Sequence, residues 1–397
     1  STPIDCNQAS GKELKIFYRF LPATTTGSHF RTAPTLLIIH GGPGLSSAVY
    51  RPYSGETPSN DKLEKLNSKF NIMLFDQRGG AGYSSPIDPM DPKLDPELVL
   101  RHFSARCHAF DLEKVVRRTR MIVAGPIYLV GQSYGAQVLA QYMQVSLAPS
   151  ANGYLFSSPY FPPDNPTETF AARRWHMLQR NRMVAKLFPG IRTDLSKLRQ
   201  KFEVMGFSPD LIHHLWLELE NDPQVFADKV RQLMQMPEPA LSGYLRRIQR
   251  NSFDLVSYIQ SIPAVTPGYT DQTLHRDLRL KIPFENWMID ETKFTDTLMH
   301  SLDSKLKEKV EDIDSRAQQL TAIAPFSGFQ FADEWQKKKT FFLFGNADSF
   351  CHAMYRDLFL KRLKPMTPKS VLSIAQGRHD VLFSTSGLNF IERMIAM

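Results

Sequence analysis

Ser133 lies between two glycines in IYLVGQSYGAQVLAQYM (127–143), where an apolar run gives way to a helical pattern. A serine hydroxyl is a weak nucleophile until a base takes its proton, and a histidine base needs a carboxylate to fix its tautomer and stabilise the imidazolium. Two later segments supply those residue types: FGNAD ends one apolar run at Asp348, and AQGRH ends the next at His379. All three residues follow strand-like runs, and ligands of open α/β sheets bind at the carboxyl ends of their strands. The chemistry this set can do is acyl transfer through an ester on Ser133, with His379 acting first as base and then as acid.

A serine on a sharp strand-to-helix turn needs small residues two positions to either side, and Gly131 and Gly135 occupy them. The N–H of Tyr134 can then point at a developing oxyanion, and the following helix turns its positive end toward it. A second donor is expected in HGGPG (40–44). Its glycines let backbone approach a ligand, and Pro43 has no N–H, which leaves Gly42 and its neighbour. In DQRGGAGYS (76–84), Asp76 and Arg78 are expected to form a buried pair that organises the loops. Other histidines and carboxylates fit less well. His40 and His352 read as structural, Asp357 falls within a helical pattern, Asp380 adjoins His379 too closely to orient it, and His213 and His214 lack metal-ligand spacing.

These residues must be positioned by regular elements. Short apolar runs centred on 15–20, 35–40, 71–77, 127–132, 153–158, 340–348 and 370–377 read as buried strands. Amphipathic helical patterns at 111–123, 134–147 and 353–363 fall among them. Alternation of this kind predicts an α/β protein with a mostly parallel central sheet flanked by helices. The alternation stops near SSPYFPPDNP (157–166), and helical patterns broken by FPG, MPEP and TPG continue to about residue 325. The expected organisation is a core of residues 1–160 and 326–397, with an all-helical cap, 161–325, inserted between two strands.

Composition narrows the class. The 397 residues are 42% hydrophobic and 22% charged, as expected of a globular chain. The net charge of +8 is dispersed in short runs such as RRTR (117–120) with no nucleic-acid-reading motif, so no nucleic-acid partner is expected. The apolar runs are too short to span a bilayer. Cys6, Cys107 and Cys351 are too scattered for a disulfide framework or a zinc site, and each reads as a buried free thiol. The chain starts at Ser1. A cytoplasmic location is expected, or a secreted or periplasmic one if a leader was removed. Nothing in the sequence indicates the oligomeric state.

HGGPG, DQRGGAGYS and GQSYGA, in that order, resemble the α/β-hydrolases of the proline iminopeptidase group, serine peptidases that release an N-terminal residue, often proline, from peptides. HFSARCHAFDLEKV (102–115) and the long helical insertion resemble its larger-cap members. The resemblance covers roughly residues 14–160 and 326–397. It implies an α/β-hydrolase fold, Ser133 as nucleophile, His379 as base, Asp348 as its orienter, and oxyanion donors at Gly42 and Tyr134. It also implies a small peptide or aminoacyl substrate and no cofactor or metal. An exopeptidase of this kind pairs a buried carboxylate with the substrate's α-ammonium group. PFENWMIDE (283–291) loosely resembles the segment that carries one, so Glu285 is the candidate, with Trp287 lining the pocket. A solvated helix residue is an equal reading of Glu285, and Glu168, Glu218 and Glu220 remain open for a second carboxylate. An esterase or amide hydrolase acting on a small non-peptide molecule is the alternative function.

Overall fold

A computed structural model describes residues 2–6, 12–24, 29–41, 47, 60–79, 83–85, 102–145, 151–159, 182, 184–207, 211, 223–251, 308, 312, 338–346, 348, 356, 370–374 and 377–397. The chain divides into two compact units. One is Ser1–Pro162, Ile259–Pro267 and Phe326–Met397; the other is Pro163–Tyr258 and Gly268–Pro325.

The first unit is built on one sheet. Its strands are β3 (Tyr18–Leu21), β4 (Thr35–Ile39), β5 (Asn71–Phe75), β6 (Ile127–Gln132), β7 (Gly153–Ser157), β8 (Thr340–Gly345) and β9 (Val371–Ile374), in the order β3-β5-β4-β6-β7-β8-β9. Only β3 runs antiparallel, pairing Tyr18 with Phe75; the other five pairings are parallel. Every residue of β4 to β8 is buried, because the sheet is covered on both faces.

Alternating side chains feed two cores. Leu37, Ile39, Met73, Phe75, Leu129, Phe156 and Phe342 pack with α2 (Ala105–Ile122) and α3 (Tyr134–Val145). Leu36, Ile38, Ile72, Leu74, Val130, Leu155 and Leu343 pack on the opposite face with α1 (Asn60–Lys69) and the carboxyl-terminal helix α7 (Thr385–Ala396). The Ser384 side chain caps α7, accepting from the Gly387 N–H at 3.0 Å. Helix 353–363 of the sequence reading lies outside the described residues, apart from Arg356.

Asn71 fixes the opening of β4 and β5. Its side chain donates to the carbonyls of Phe30 (2.6 Å) and Ala33 (3.2 Å) and accepts from the Ala23 N–H (2.9 Å), so a polar group 0% exposed carries no unmet bond.

In the second unit the described elements are helical: α4 (Ile191–Val204), α5 (Pro223–Gln235) and α6 (Glu238–Asn251). Leu195, Leu198, Phe202, Phe226, Val230, Leu233, Leu241 and Leu245 form its core. Lys201 Nζ donates to the carbonyls of Met234 and Met236, which otherwise end α5 and its turn without partners.

The free-thiol expectation for two cysteines is corrected: Cys6 and Cys107 form a disulfide across a sequence separation of 101. It holds the hairpin of β1 (Thr2–Pro3) and β2 (Glu13–Leu14) against the first turn of α2. Closing so long a loop removes much of the unfolded chain's freedom, so reduction with a phosphine, or Cys6→Ser, should lower unfolding stability by about 2–5 kcal/mol. Urea unfolding of the oxidised and reduced chain would check this, and equal midpoints would refute it.

Candidate active site

The candidate residues gather at the carboxyl ends of the strands. Ser133 links β6 to α3 with φ 51°, in the left-handed region that non-glycine residues rarely adopt. Its N–H donates to the Ser157 carbonyl at the end of β7 (3.0 Å), and its own carbonyl accepts from the Ala136 N–H (3.0 Å). Gly135 makes the turn possible, since a Cβ there would lie 2.1 Å from the Ile39 carbonyl oxygen. Gly41 presses its backbone against the serine; a Cβ on it would meet Ser133 Cβ at 2.7 Å and Oγ at 3.4 Å. The HGGPG segment therefore enters beside Ser133. Gly42, the donor expected there, lies outside the described residues.

The carboxylate and imidazole come from the neighbouring arm. Asp348 follows β8 and His379 follows β9, and Nδ1 of His379 lies 2.9 Å from Oδ2 and 3.1 Å from Oδ1 of Asp348. The Asp348 side chain is fully buried, whereas the imidazole is 27% exposed. A base that must reach a substrate needs that difference. Gly345 lets the two loops meet: a Cβ on it would stand 2.4 Å from the Gly377 carbonyl oxygen. Gln132, just before the serine, brings Nε2 to 3.5 Å from the His379 carbonyl. Among the described residues no hydrogen bond joins Ser133 Oγ to the imidazole. In substrate-free enzymes such bonds are often long and tighten on binding.

Asp76 and Arg78 are buried, but not as the expected pair. The carboxylate that Arg78 meets with a two-point fork is Asp111 on α2, at 2.7 Å from Nε and 2.6 Å from Nη2. Its Nη1 also donates to the carbonyls of Ile4 and His102. Asp76 accepts from the N–H and hydroxyl of Ser47 (2.6 and 2.5 Å) and from the Tyr83 N–H (2.7 Å). Each therefore ties a different set of loops. Asp111 was hidden in the sequence by its place in an amphipathic helix.

Sequence reasoning also missed Ser158, a second left-handed residue (φ 41°), at the end of β7. His40 is buried as expected of a structural residue, its Nδ1 2.9 Å from the Gly41 carbonyl. His108, which lies within HFSARCHAFDLEKV but was given no role there, sits beneath Tyr134 with Nδ1 3.2 Å from the tyrosine hydroxyl. Glu285, Trp287, Glu168, Glu218, Glu220, His352, Asp357, His213 and His214 lie outside the described residues. As to metals, Cys6, His102 and Cys107 cluster among the described residues. The two sulfurs are bonded to each other, and a metal prefers thiolate.

Burial lowers the pKa of both His40 and His108, and the nearby Arg78 guanidinium lowers that of His108 further. Both imidazoles thus stay neutral in the fold at pH values where the unfolded chain takes up protons. Stability is unaffected above an ordinary histidine pKa of about 6.5 and is lost as pH falls below it, most steeply through His108, with a limiting slope of about 1.4 kcal/mol per pH unit for one excluded proton. Urea unfolding between pH 7.5 and 5 should show that slope, and His108→Gln should shed about one proton's share. An unchanged slope in the variant would contradict the assignment.

Residues 34–272, more than half of the chain, match the family model described as alpha/beta hydrolase fold. Among curated relatives, "Serine carboxypeptidase-like 8" of Arabidopsis thaliana is 25% identical over 170 residues, 37% of this chain and 37% of that protein. "Serine carboxypeptidase 24" of the same plant is 29% identical over 167 residues, 39% of this chain and 33% of that protein. The chain thus spans about a third of either relative's length. Among solved structures, a proline iminopeptidase-related protein from Thermus thermophilus aligns over 97% of both chains, with 14% identity and a TM-score of 0.38.

Proposed function

The chain belongs to the alpha/beta hydrolase fold family, and on that premise we propose that it is a serine hydrolase with Ser133 as nucleophile, His379 as general base and Asp348 as the carboxylate that orients it. The observation that carries this reading is the left-handed backbone of Ser133 on the β6–α3 turn, since strain of this kind concentrates at functional sites. The Asp348–His379 pair supports it from the adjoining strands.

Asp348, with both carboxylate oxygens close to Nδ1, holds the proton there, which makes Nε2 the atom that accepts the serine proton. Attack by Oγ on a carbonyl carbon makes a tetrahedral oxyanion, for which the N–H groups of Gly42 and Tyr134 are the proposed donors. Collapse expels the leaving group with a proton from His379. Water activated by the same imidazole then releases the acyl group and restores the serine.

For the substrate we propose a short peptide or aminoacyl compound with a free amino terminus, of which the enzyme releases the first residue. The support is the run of HGGPG, DQRGGAGYS and GQSYGA along the chain. In this reading residues 161–325 act as a cap, Glu285 pairs with the α-ammonium group, and Trp287 lines the pocket. The Cys6–Cys107 disulfide supports an oxidising compartment over the cytoplasm.

A fluorophosphonate probe should label the wild-type chain and not Ser133→Ala. Asp348→Asn should lower kcat by about 10⁴-fold, the effect of leaving such a histidine in the wrong tautomer. Aminoacyl naphthylamides should be cleaved only with the α-amine free. Equal turnover after amine blocking, together with hydrolysis of short acyl esters, would instead assign an esterase or amide hydrolase.

A further inference from the structure

Tyr134 follows Ser133 directly, and its backbone N–H opens α3, where the first N–H groups of a helix have no intrahelical partner. Its side chain is 3% exposed, and its hydroxyl meets a single described partner, Nδ1 of His108, at 3.2 Å. The two rings stand edge to face, 6.0 Å between centroids and 88° between planes. His108 is fully buried on α2, one turn before Asp111 and next to Cys107, so the disulfide and the Arg78 fork immobilise the helix segment that carries it. Helices α2 and α3 share the core that also holds Ala109, Leu112 and Leu139.

Burial of an imidazole is costly unless something is gained by its polarity. A leucine or phenylalanine would fill the same volume without that cost. The histidine's Nε2 finds no hydrogen-bond partner among the described residues, so the contact with Tyr134 is what its polarity achieves there. The ring stays neutral, which a bond from the tyrosine hydroxyl to Nδ1 requires.

We propose that His108 is a positioning residue for the hydrolytic reaction: by holding the Tyr134 hydroxyl it fixes the first residue of α3, and hence the direction of the Tyr134 N–H toward the oxyanion formed at Ser133. The effect is indirect, through another residue's backbone, so it belongs to the transition state and leaves substrate binding untouched. This inference rests on the serine-hydrolase reading.

The test compares Tyr134→Phe, His108→Leu and His108→Gln with wild type, using an aminoacyl naphthylamide as substrate and the matching aminoacyl trifluoromethyl ketone as inhibitor. The ketone adds to Ser133 and places an alkoxide where the oxyanion forms. Complete removal of an oxyanion donor costs about 10²–10³ in kcat, and a misdirected donor should cost about tenfold. The expected result is a tenfold fall in kcat with KM unchanged for Tyr134→Phe and His108→Leu. The inhibition constant of the ketone should rise by the same factor, with recovery in His108→Gln, whose amide can still meet the hydroxyl.

A ketone affinity that stays at the wild-type value in Tyr134→Phe overturns the proposal, as does a loss confined to KM. Should His108→Leu fail to fold, Tyr134→Phe decides alone, because it deletes one oxygen and keeps the ring. Failure of the underlying reading would look different: wild type itself would show no Ser133-dependent fluorophosphonate labelling and no inhibition by the ketone.

Discussion

The left-handed backbone at Ser133 is the constraint on which the rest of the first unit is arranged. A non-glycine residue in a sparsely populated conformation costs of order 1–3 kcal/mol and persists only where its surroundings over-determine it. Here β7 takes the serine's N–H, α3 donates to its carbonyl, and Gly135 sits so close to Ile39 that no side chain fits at that position. Three adjacent parallel strands thus supply the restraints, and none of them could do so from an edge position. Ser133 is left at the sheet's carboxyl rim, half-buried, while the residues around it are buried.

The rim loops are held less by apolar packing than by a few buried charges with several partners each. Arg78 gathers the amino-terminal hairpin, the segment before α2, and Asp111; Asp76 gathers Ser47 and Tyr83. A desolvated ion pair contributes little net stability, but losing one partner leaves a buried charge and costs about 3–5 kcal/mol. Such pairs therefore penalise wrong loop arrangements more than they favour the right one. The disulfide adds a covalent restraint to the same corner, where Ile4 and Cys6 flank the charged Asp5.

How far the sequence revealed this differs by element. The parallel strands were legible because burial on both faces turns them into unbroken apolar runs such as TLLII and TFFLF. Ser133, Asp348 and His379 were legible as strand-end residues in a workable order, and the structure brings the latter two into contact. The partner of Arg78 was not legible. Asp111 lies 33 positions away on a helix whose pattern looked simply amphipathic, and only tertiary packing turns it toward the guanidinium. The Cys6–Cys107 pairing was hidden for the same reason, and so was the contact of His108, a residue of HFSARCHAFDLEKV whose partner lies on another helix. Helix α1 escaped notice because NDKLEKLNSK offers only Leu63 and Leu66 as an apolar stripe.

The order of the parts along the chain also has a physical consequence. Ser133 belongs to an arm of β4, β6 and β7, whereas Asp348 and His379 belong to β8 and β9, and the whole second unit lies between the two in sequence. Within the sheet the arms are joined by one strand pairing, from Tyr154 opposite Thr340 to Ser157 opposite Leu343. Loop-closure entropy grows only logarithmically, each doubling of the loop costing about 0.6 kcal/mol, so a large insertion at this point adds little to the cost of forming that pairing. The cost falls instead on folding rate, since the imidazole can approach the serine only after this non-local pairing has formed. An insertion placed inside either arm would interrupt the close contacts at Gly135 or Gly345. Between β7 and β8 it can vary in size and surface while the chemistry at the rim is left in place.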